Sequence, residues 1–100
     1  MKKSYLALPA LAIIFAAPVG ANEVFTKHCA ACHAGGKNIM NAEKTLTKES
    51  LEKNGVNTVD AIKALVTKGK APMPAFEKTL SAEEIDSVAS YVLEQAEKGW

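Results

Sequence analysis

The chain has 100 residues, of which 48% are hydrophobic and 23% charged, and its formal net charge is +1. This length allows one domain at most, and a near-neutral chain without arginine is unlike a nucleic-acid-binding protein. The charge is unevenly distributed: eight lysines face five acids between residues 37 and 78, whereas five acids face one lysine from residue 83 onward. Such asymmetry favours electrostatic steering toward a charged partner.

The N-terminus has the pattern of a secretory signal peptide. Two lysines near the start precede an apolar run from Leu6 to Phe15, and small residues follow up to Ala21. The run is well short of the ~20 residues that a membrane span needs, so we predict a cleaved signal over residues 1–21 rather than an anchor. Residues 22–100 then form a single exported domain with no membrane span.

Two helices are predicted in the first half of this domain. The first runs from about Asn22 to Cys32 and stops before a pair of glycines. The second spans about Lys48 to Asn54 and ends at Gly55, a residue type that commonly follows the last turn of a helix. The segment between them lacks a periodic pattern and is predicted to be irregular.

Two further helices are predicted in the second half, and no segment has the alternating pattern of a strand. One begins with Asn57 or Thr58 as its N-cap and stops at Gly69. The other opens with Ser81 and Glu84, which have the spacing of a capping box. Its apolar face recurs at intervals of three and four residues, at Ile85, Val88, Ala89, Val92, Leu93 and Ala96. The fold class is therefore predicted to be all-α, with about four helices.

The segment Cys29-Ala30-Ala31-Cys32-His33 has the pattern C-x-x-C-H, the attachment signature of c-type haem. Each thiol can add to a haem vinyl group, and the adjacent His33 becomes an axial ligand of the iron. A zinc site would need a second pair of ligands, and a thioredoxin-like redox pair would need a preceding strand; the sequence has neither. We therefore predict one haem c, attached covalently through Cys29 and Cys32.

The second axial ligand is expected to be a thioether or an imidazole. Met73 lies between two prolines, which fix the backbone and stiffen the loop, so it is predicted to be that ligand. Met40 is interpreted as a flexible filler of the core, and His28 as an exposed structural residue. With His33 and Met73 both bound, no coordination position stays open, which predicts outer-sphere electron transfer rather than catalysis.

Three lysines, Lys68, Lys70 and Lys78, lie on either side of the Met73 loop in the sequence. They are interpreted either as an ordinary solvated surface or as a positive ring that docks acidic partners. The second interpretation predicts association that weakens as salt is added.

Several segments resemble the cytochrome c6 family, and together they cover nearly all of residues 22–100. They are the C-A-A-C-H-A-G-G motif from Cys29 to Gly36, the segment Glu43 to Leu46, Gly69-Lys70 with Met73 to Phe76, and the ending from Tyr91 to Trp100. The resemblance implies a class I cytochrome c fold in which one haem is held between four helices. It also implies that the first and last helices cross near Phe25 and Tyr91.

The resemblance further implies a role and partners. The family consists of soluble carriers of the thylakoid lumen, which take electrons from cytochrome f of the b6f complex and deliver them to photosystem I. We expect a monomer in the thylakoid lumen of a cyanobacterium or plastid. The alternatives are a c6-like or bacterial c553-type carrier for a terminal oxidase or another lumenal or periplasmic acceptor, and a haem-based ligand sensor in which Met73 leaves the iron.

Three positions depart from the pattern of this family. Leu65 stands where a glutamine is usual, close to the haem, which leads to the hypothesis of a lowered reduction potential. Phe76 is followed by Glu77 and Lys78 instead of the small residues and arginine often found there, which alters the expected docking patch. Ala21 stands where the N-terminal helix usually has glycine.

Overall fold

A computed structural model describes residues 20–100, so residues 1–19 of the predicted signal peptide lie outside the described part of the chain. Between residues 20 and 100 the regular structure is helical, apart from a single β-bridge between Lys70 and Met73. No helix in this range combines the length and hydropathy needed to cross a bilayer. The helical elements are α1 (Ala21–Val24), a π-helical turn (Phe25–Cys29), α2 (Ala30–His33), a 3-10 turn (Ala34–Gly36), α3 (Lys48–Lys53), α4 (Val59–Lys68) and α5 (Ala82–Lys98).

The first predicted helix is present, but it is not a uniform α-helix. The π-helical turn interrupts it, and there the backbone N–H of Ala30 donates to the carbonyl of Phe25, five residues earlier. Such a turn accommodates one additional residue and shifts the phase of the helix, and it is frequent at functional sites. Here it ends at Cys29, so the first cysteine of the haem motif lies where the phase changes.

The two middle helices end close to the glycines that the sequence indicated, and the N-cap predicted for α4 is present. Thr58 is the N-cap of α4, since its side chain accepts a hydrogen bond from the backbone N–H of Ala61, which settles the choice between Asn57 and Thr58. In the same way Thr47 caps α3. After α3 the backbone reverses at Gly55, which has a φ of +70°, as the predicted C-terminal glycine requires.

The last helix, α5, has the predicted capping box. The backbone N–H of Glu84 donates to Ser81 Oγ at 3.1 Å, and the backbone N–H of Ser81 donates to Glu84 Oε1 at 2.8 Å. Its predicted apolar face is largely buried, with Leu93 half-buried at the edge. The all-α prediction is therefore confirmed.

The core lies where α5 crosses the N-terminal helical segment and packs against α4. The rings of Phe25 and Tyr91 are 5.5 Å apart between centroids, so the crossing is where the family resemblance implied. The segments 37–47 and 70–80 contain no helix and connect the helices around this core. The buried side chains are Val24, Phe25, Leu51, Ile62, Val66, Leu80, Ile85, Val88, Ala89, Val92 and Ala96.

Candidate functional site

The two cysteines of the C-x-x-C-H motif lie at the junction of the π-helical turn and α2. Both are free thiols and half-buried, and Cys29 packs against the hydrophobic core. Burial raises the pKa of the Cys29 thiol to about 11, so the group is uncharged at neutral pH. A thioether bond to a haem vinyl group is uncharged at every pH, so this apolar setting suits covalent attachment of a haem.

His33, the last residue of α2, is oriented by a hydrogen bond to the backbone. Its Nδ1 lies 2.8 Å from the carbonyl oxygen of Lys37. A carbonyl only accepts hydrogen bonds, so Nδ1 carries the proton, and the lone pair of Nε2 is left for a metal. The acceptor itself is held by a turn in which the Lys37 N–H donates to the carbonyl of Ala34. The histidine therefore has the tautomer that an axial ligand needs.

Met73 is fixed by its backbone in a short turn. The N–H of Lys70 donates to the Met73 carbonyl at 3.0 Å, and the N–H of Met73 donates to the Lys70 carbonyl at 2.8 Å. The loop is also attached to α4, because the N–H of Phe76 donates to the carbonyl of Val66 at 2.9 Å. The Met73 side chain is half-buried and packs against the core. This is the stiff presentation that the flanking prolines predicted.

Gly69 allows the Met73 loop to approach the end of α4. Its φ is +71° and its ψ 174°, a conformation that is nearly exclusive to glycine. A Cβ atom at this position would lie 2.6 Å from the backbone nitrogen of Ala75 and 2.6 Å from the carbonyl carbon of Pro74. Both neighbours are backbone atoms, so they cannot move away as a flexible side chain can.

The prediction that Met40 fills the core is wrong, because its side chain is 62% exposed and that of Ile39 is 71% exposed. The reason is local: the side-chain oxygen of Asn38 accepts hydrogen bonds from the backbone of Met40 and Asn41 and holds this segment in an outer turn. The apolar character of Met40 is therefore not used for core packing.

His28 also differs from its prediction as an exposed residue. It is half-buried, and its ring lies 6.0 Å from that of Phe76 at an interplanar angle of 74°, an edge-to-face contact. The difference arises because the Met73 loop folds back along α4 and brings Phe76 beside the N-terminal helical segment. His28 thus joins the two segments that carry the predicted haem-binding residues.

Trp100 is a site residue to which the sequence analysis assigned no role. Its indole Nε1–H donates to the carbonyl of Leu46 at 2.8 Å, and its ring lies against Gly36, three residues after His33. It also contacts the rings of Phe25 and Tyr91. The only signal in the sequence was the Gly99-Trp100 ending, which by itself does not indicate what the indole contacts.

The lysines around the Met73 loop do not form one uniform group. Lys68 pairs with Glu77 at 3.3 Å across an exposed surface, and such a pair contributes little to stability. Lys70 and Lys78 are exposed, and neither forms a salt bridge with another residue of the range 20–100. The free positive charge near the loop is therefore that of Lys70 and Lys78.

Replacing Gly69 tests how the methionine loop is positioned. We expect Gly69→Ala to cost at least about 2 kcal/mol of unfolding free energy and to weaken or abolish the near-infrared band of methionine-ligated ferric haem, since the new Cβ meets fixed backbone. Gly55→Ala is the matched control: its φ is +70°, but a Cβ there meets nothing within 4 Å. That control should cost about 1 kcal/mol and keep the band. An intact band in Gly69→Ala would show that the close approach does not position Met73.

Comparison with known proteins identifies the family. A cytochrome c domain model described as "Cytochrome C oxidase, cbb3-type, subunit III" matches residues 16–92. Cytochrome c6 of Microcystis aeruginosa is 60% identical over 77 residues, which are 77% of this chain and 95% of that protein. Cytochrome c6 of Bumilleriopsis filiformis is 57% identical over 77 residues, covering 77% of this chain and 90% of that protein.

The solved structures agree with these relatives. Cytochrome c6 from the diatom Phaeodactylum tricornutum superimposes with a TM-score of 0.78 at 51% identity, covering 80% of this chain and 94% of that one. Cytochrome c6C from Synechococcus sp. PCC 7002 gives the same TM-score at 45% identity, covering 80% and 98%. The chain therefore belongs to the cytochrome c6 family of class I c-type cytochromes, and it is an electron carrier with a covalently bound haem c.

Proposed function

We propose that this protein is a soluble, monomeric carrier of the thylakoid lumen that accepts electrons from cytochrome f of the b6f complex and donates them to photosystem I. It is not an enzyme in this proposal, because no substrate binds the metal. Residues 1–21 direct export and are removed, which leaves residues 22–100 as the working domain. The relatives named above support this role, since they are cytochromes c6 of photosynthetic organisms.

In the proposed site, Cys29 and Cys32 would hold the haem by thioether bonds, and His33 and Met73 would ligate its iron. The haem supplies a one-electron Fe(III)/Fe(II) couple when bound. His33 is kept in its ligating tautomer by the Lys37 carbonyl, and Met73 is kept in place by its paired backbone bonds to Lys70. With both of these ligands supplied by the protein, no coordination position would be open to a substrate.

The observation that carries this proposal is the backbone pairing that immobilises Met73. A methionine that merely fills space is flexible and needs no such support. Here reciprocal hydrogen bonds at 3.0 and 2.8 Å, two flanking prolines and the close approach at Gly69 all restrict the backbone that presents this side chain. Met40, the other candidate within residues 20–100, is 62% exposed, and unlike Met73 it is not among the side chains that pack against the core.

Methionine replacement tests the ligand assignment. In Met73→Ala we expect the near-infrared band of methionine-ligated ferric haem to disappear and the reduction potential to fall, because thioether ligation raises the potential. Met40→Ala should keep both the band and the potential. Optical spectra and an equilibrium redox titration of the purified holoproteins measure both. If the wild-type protein itself lacks the band, the haem-based ligand sensor becomes the better interpretation.

The distribution of charge supports transient docking at the methionine side of the molecule. Lys70 and Lys78 are exposed beside the Met73 loop, whereas α5 carries exposed acids on its outer face, among them Asp86, which is paired with Lys63. A positive patch near the haem edge orients the carrier toward an acidic partner and raises the association rate more than the affinity. Rapid release after transfer suits a mobile carrier.

A salt series with photosystem I tests the acceptor and the docking surface together. After a flash, we expect re-reduction of the photosystem by this protein to be fast at low salt and to slow as salt rises. Lys70→Gln combined with Lys78→Gln should lower the low-salt rate roughly two- to tenfold and flatten the salt dependence. Lys53→Gln, an exposed lysine at the end of α3, is the matched control and should change little. Absence of any reaction would favour another acceptor.

Leu65 favours a second candidate, a c6-like carrier of lower potential that serves a terminal oxidase or another lumenal or periplasmic acceptor. Leu65 lies on the last turns of α4, and its carbonyl accepts a hydrogen bond from the N–H of Gly69, at the base of the Met73 loop. Its side chain is half-buried, yet within residues 20–100 it is not among the side chains that pack against the core. An apolar group in this place provides no hydrogen bond to the haem surroundings.

Leu65→Gln tests the second candidate. The amide adds a polar hydrogen-bonding group beside the Met73 loop, and we expect it to raise the reduction potential measured by equilibrium titration. Leu65→Ile, which keeps a branched apolar side chain of the same volume, is the control and should leave the potential close to that of wild type. An unchanged reduction potential in Leu65→Gln would mean that Leu65 does not determine the potential of this carrier.

A further inference from the structure

We propose that Trp100 is a positioning residue for the axial ligand His33 and thereby helps to set the reduction potential of the carrier. The inference rests on the proposed assignment of His33 as a ligand. Trp100 acts on the backbone segment from Gly36 to Leu46, which supplies the hydrogen-bond acceptor for the imidazole.

Trp100 links the two ends of this segment through hydrogen bonds. The indole Nε1–H donates to the Leu46 carbonyl at 2.8 Å, a contact between residues 54 positions apart. The N–H of Leu46 in turn donates to the carbonyl of Gly36 at 2.7 Å. Gly36 and Leu46, the two ends of the segment, are therefore hydrogen-bonded to each other, and Leu46 is also hydrogen-bonded to the indole.

The indole of Trp100 lies directly on the backbone of Gly36. A Cβ atom at Gly36 would be 2.5 Å from Trp100 Cδ1 and 2.6 Å from both Cγ and Nε1. Gly36 itself is buried and has a φ of +80°. The ring thus replaces a side chain at Gly36 and fixes the position of the peptide that leads into Lys37.

The peptide between Gly36 and Lys37 is directly connected to the proposed ligand His33. The Lys37 carbonyl is the acceptor for His33 Nδ1–H at 2.8 Å, and Lys37 is the residue that follows Gly36. A hydrogen bond from the second ring nitrogen makes an imidazole a more basic ligand and fixes its orientation. A more basic ligand favours the ferric state. Loosening the Gly36 peptide therefore weakens this bond and shifts the iron toward the ferrous state.

The indole itself is well anchored, as a positioning residue must be. The N–H groups of Gly99 and Trp100 both donate to the carbonyl of Gln95 at 2.8 Å, which ends α5 and turns the chain toward the core. The indole lies 5.3 Å from the ring of Phe25 and 6.3 Å from that of Tyr91, centroid to centroid. The indole therefore fixes the segment around Lys37 relative to α5.

Two substitutions separate the hydrogen bond from the ring. Trp100→Phe keeps an aromatic ring but loses the Nε1–H donor, and Trp100→Ala loses both. We expect Trp100→Ala to shift the redox equilibrium about threefold toward the reduced protein, which is about 28 mV at 59 mV per tenfold change. Trp100→Phe should give a smaller shift in the same direction. Hydrogen exchange at His33 Nδ1–H, followed by NMR of the holoprotein, should accelerate in the same order.

Ser81→Ala is the matched control for stability. It removes the capping box at the opposite end of α5, so it lowers the unfolding temperature without touching the Gly36 segment. Its reduction potential and its exchange at His33 Nδ1–H should equal those of wild type. If the Trp100 variants also unfold at lower temperature while potential and exchange stay unchanged, Trp100 is only a packing residue and the proposal is overturned.

The same spectra separate this proposal from the ligand assignment. Wild-type His33 resonances without a hyperfine shift would mean that His33 is not an axial ligand, and this proposal would end together with that assignment. Shifted resonances that respond to Trp100 support it, whatever the reaction with photosystem I shows. The outcome for Trp100 is thus independent of which partner the carrier serves.

Discussion

The packing of Phe25 against α5 is the constraint on which both the fold and the site depend. Phe25 is 5% exposed, and it contacts Tyr91 at 5.5 Å and Trp100 at 5.3 Å between ring centroids. It lies four residues before Cys29, so the contact that joins the ends of the domain also determines where the cysteine motif leaves the core. Because these contacts bridge more than sixty residues of sequence, the position of the motif depends on α5 being complete.

The two proposed axial ligands are held by different kinds of interaction. Met73 is held locally, by pairing with Lys70 three residues away and by the glycine that lets the loop approach the end of α4. His33 is held through tertiary structure, because its acceptor on Lys37 belongs to a segment fastened by Trp100. A change in the packing of α5 therefore reaches the histidine side first, while the methionine side responds mainly to changes within its own loop.

The same distinction explains what the sequence could predict. The caps at Thr58 and Ser81 and the end of α4 at Gly69 depend on neighbours within a few residues, and each of these predictions was confirmed. The C-x-x-C-H motif is equally local, and the haem c that it predicts is confirmed by the cytochrome c6 relatives. The π-helical turn could not be predicted, because no residue pattern in the segment Phe25–Cys29 marks a change of helical phase. The exposure of Met40 could not be predicted either, since it depends on the turn made by Asn38 rather than on hydropathy.

Outer-sphere electron transfer makes opposite demands on the site and on the surface. The ligand geometry must change little between oxidation states, and this requires ligands whose supports are already in place before the electron arrives. The backbone of Met73 and the imidazole of His33, the two proposed ligands, are both held by hydrogen bonds to backbone atoms, which meets this demand. The surface must instead release its partner quickly, and exposed lysines such as Lys70 and Lys78 provide long-range attraction with little binding energy at short range. A rigid interior beneath a weakly interacting surface is therefore the arrangement that a carrier requires. Trp100 belongs to the rigid interior, because it links α5 to the backbone that orients His33.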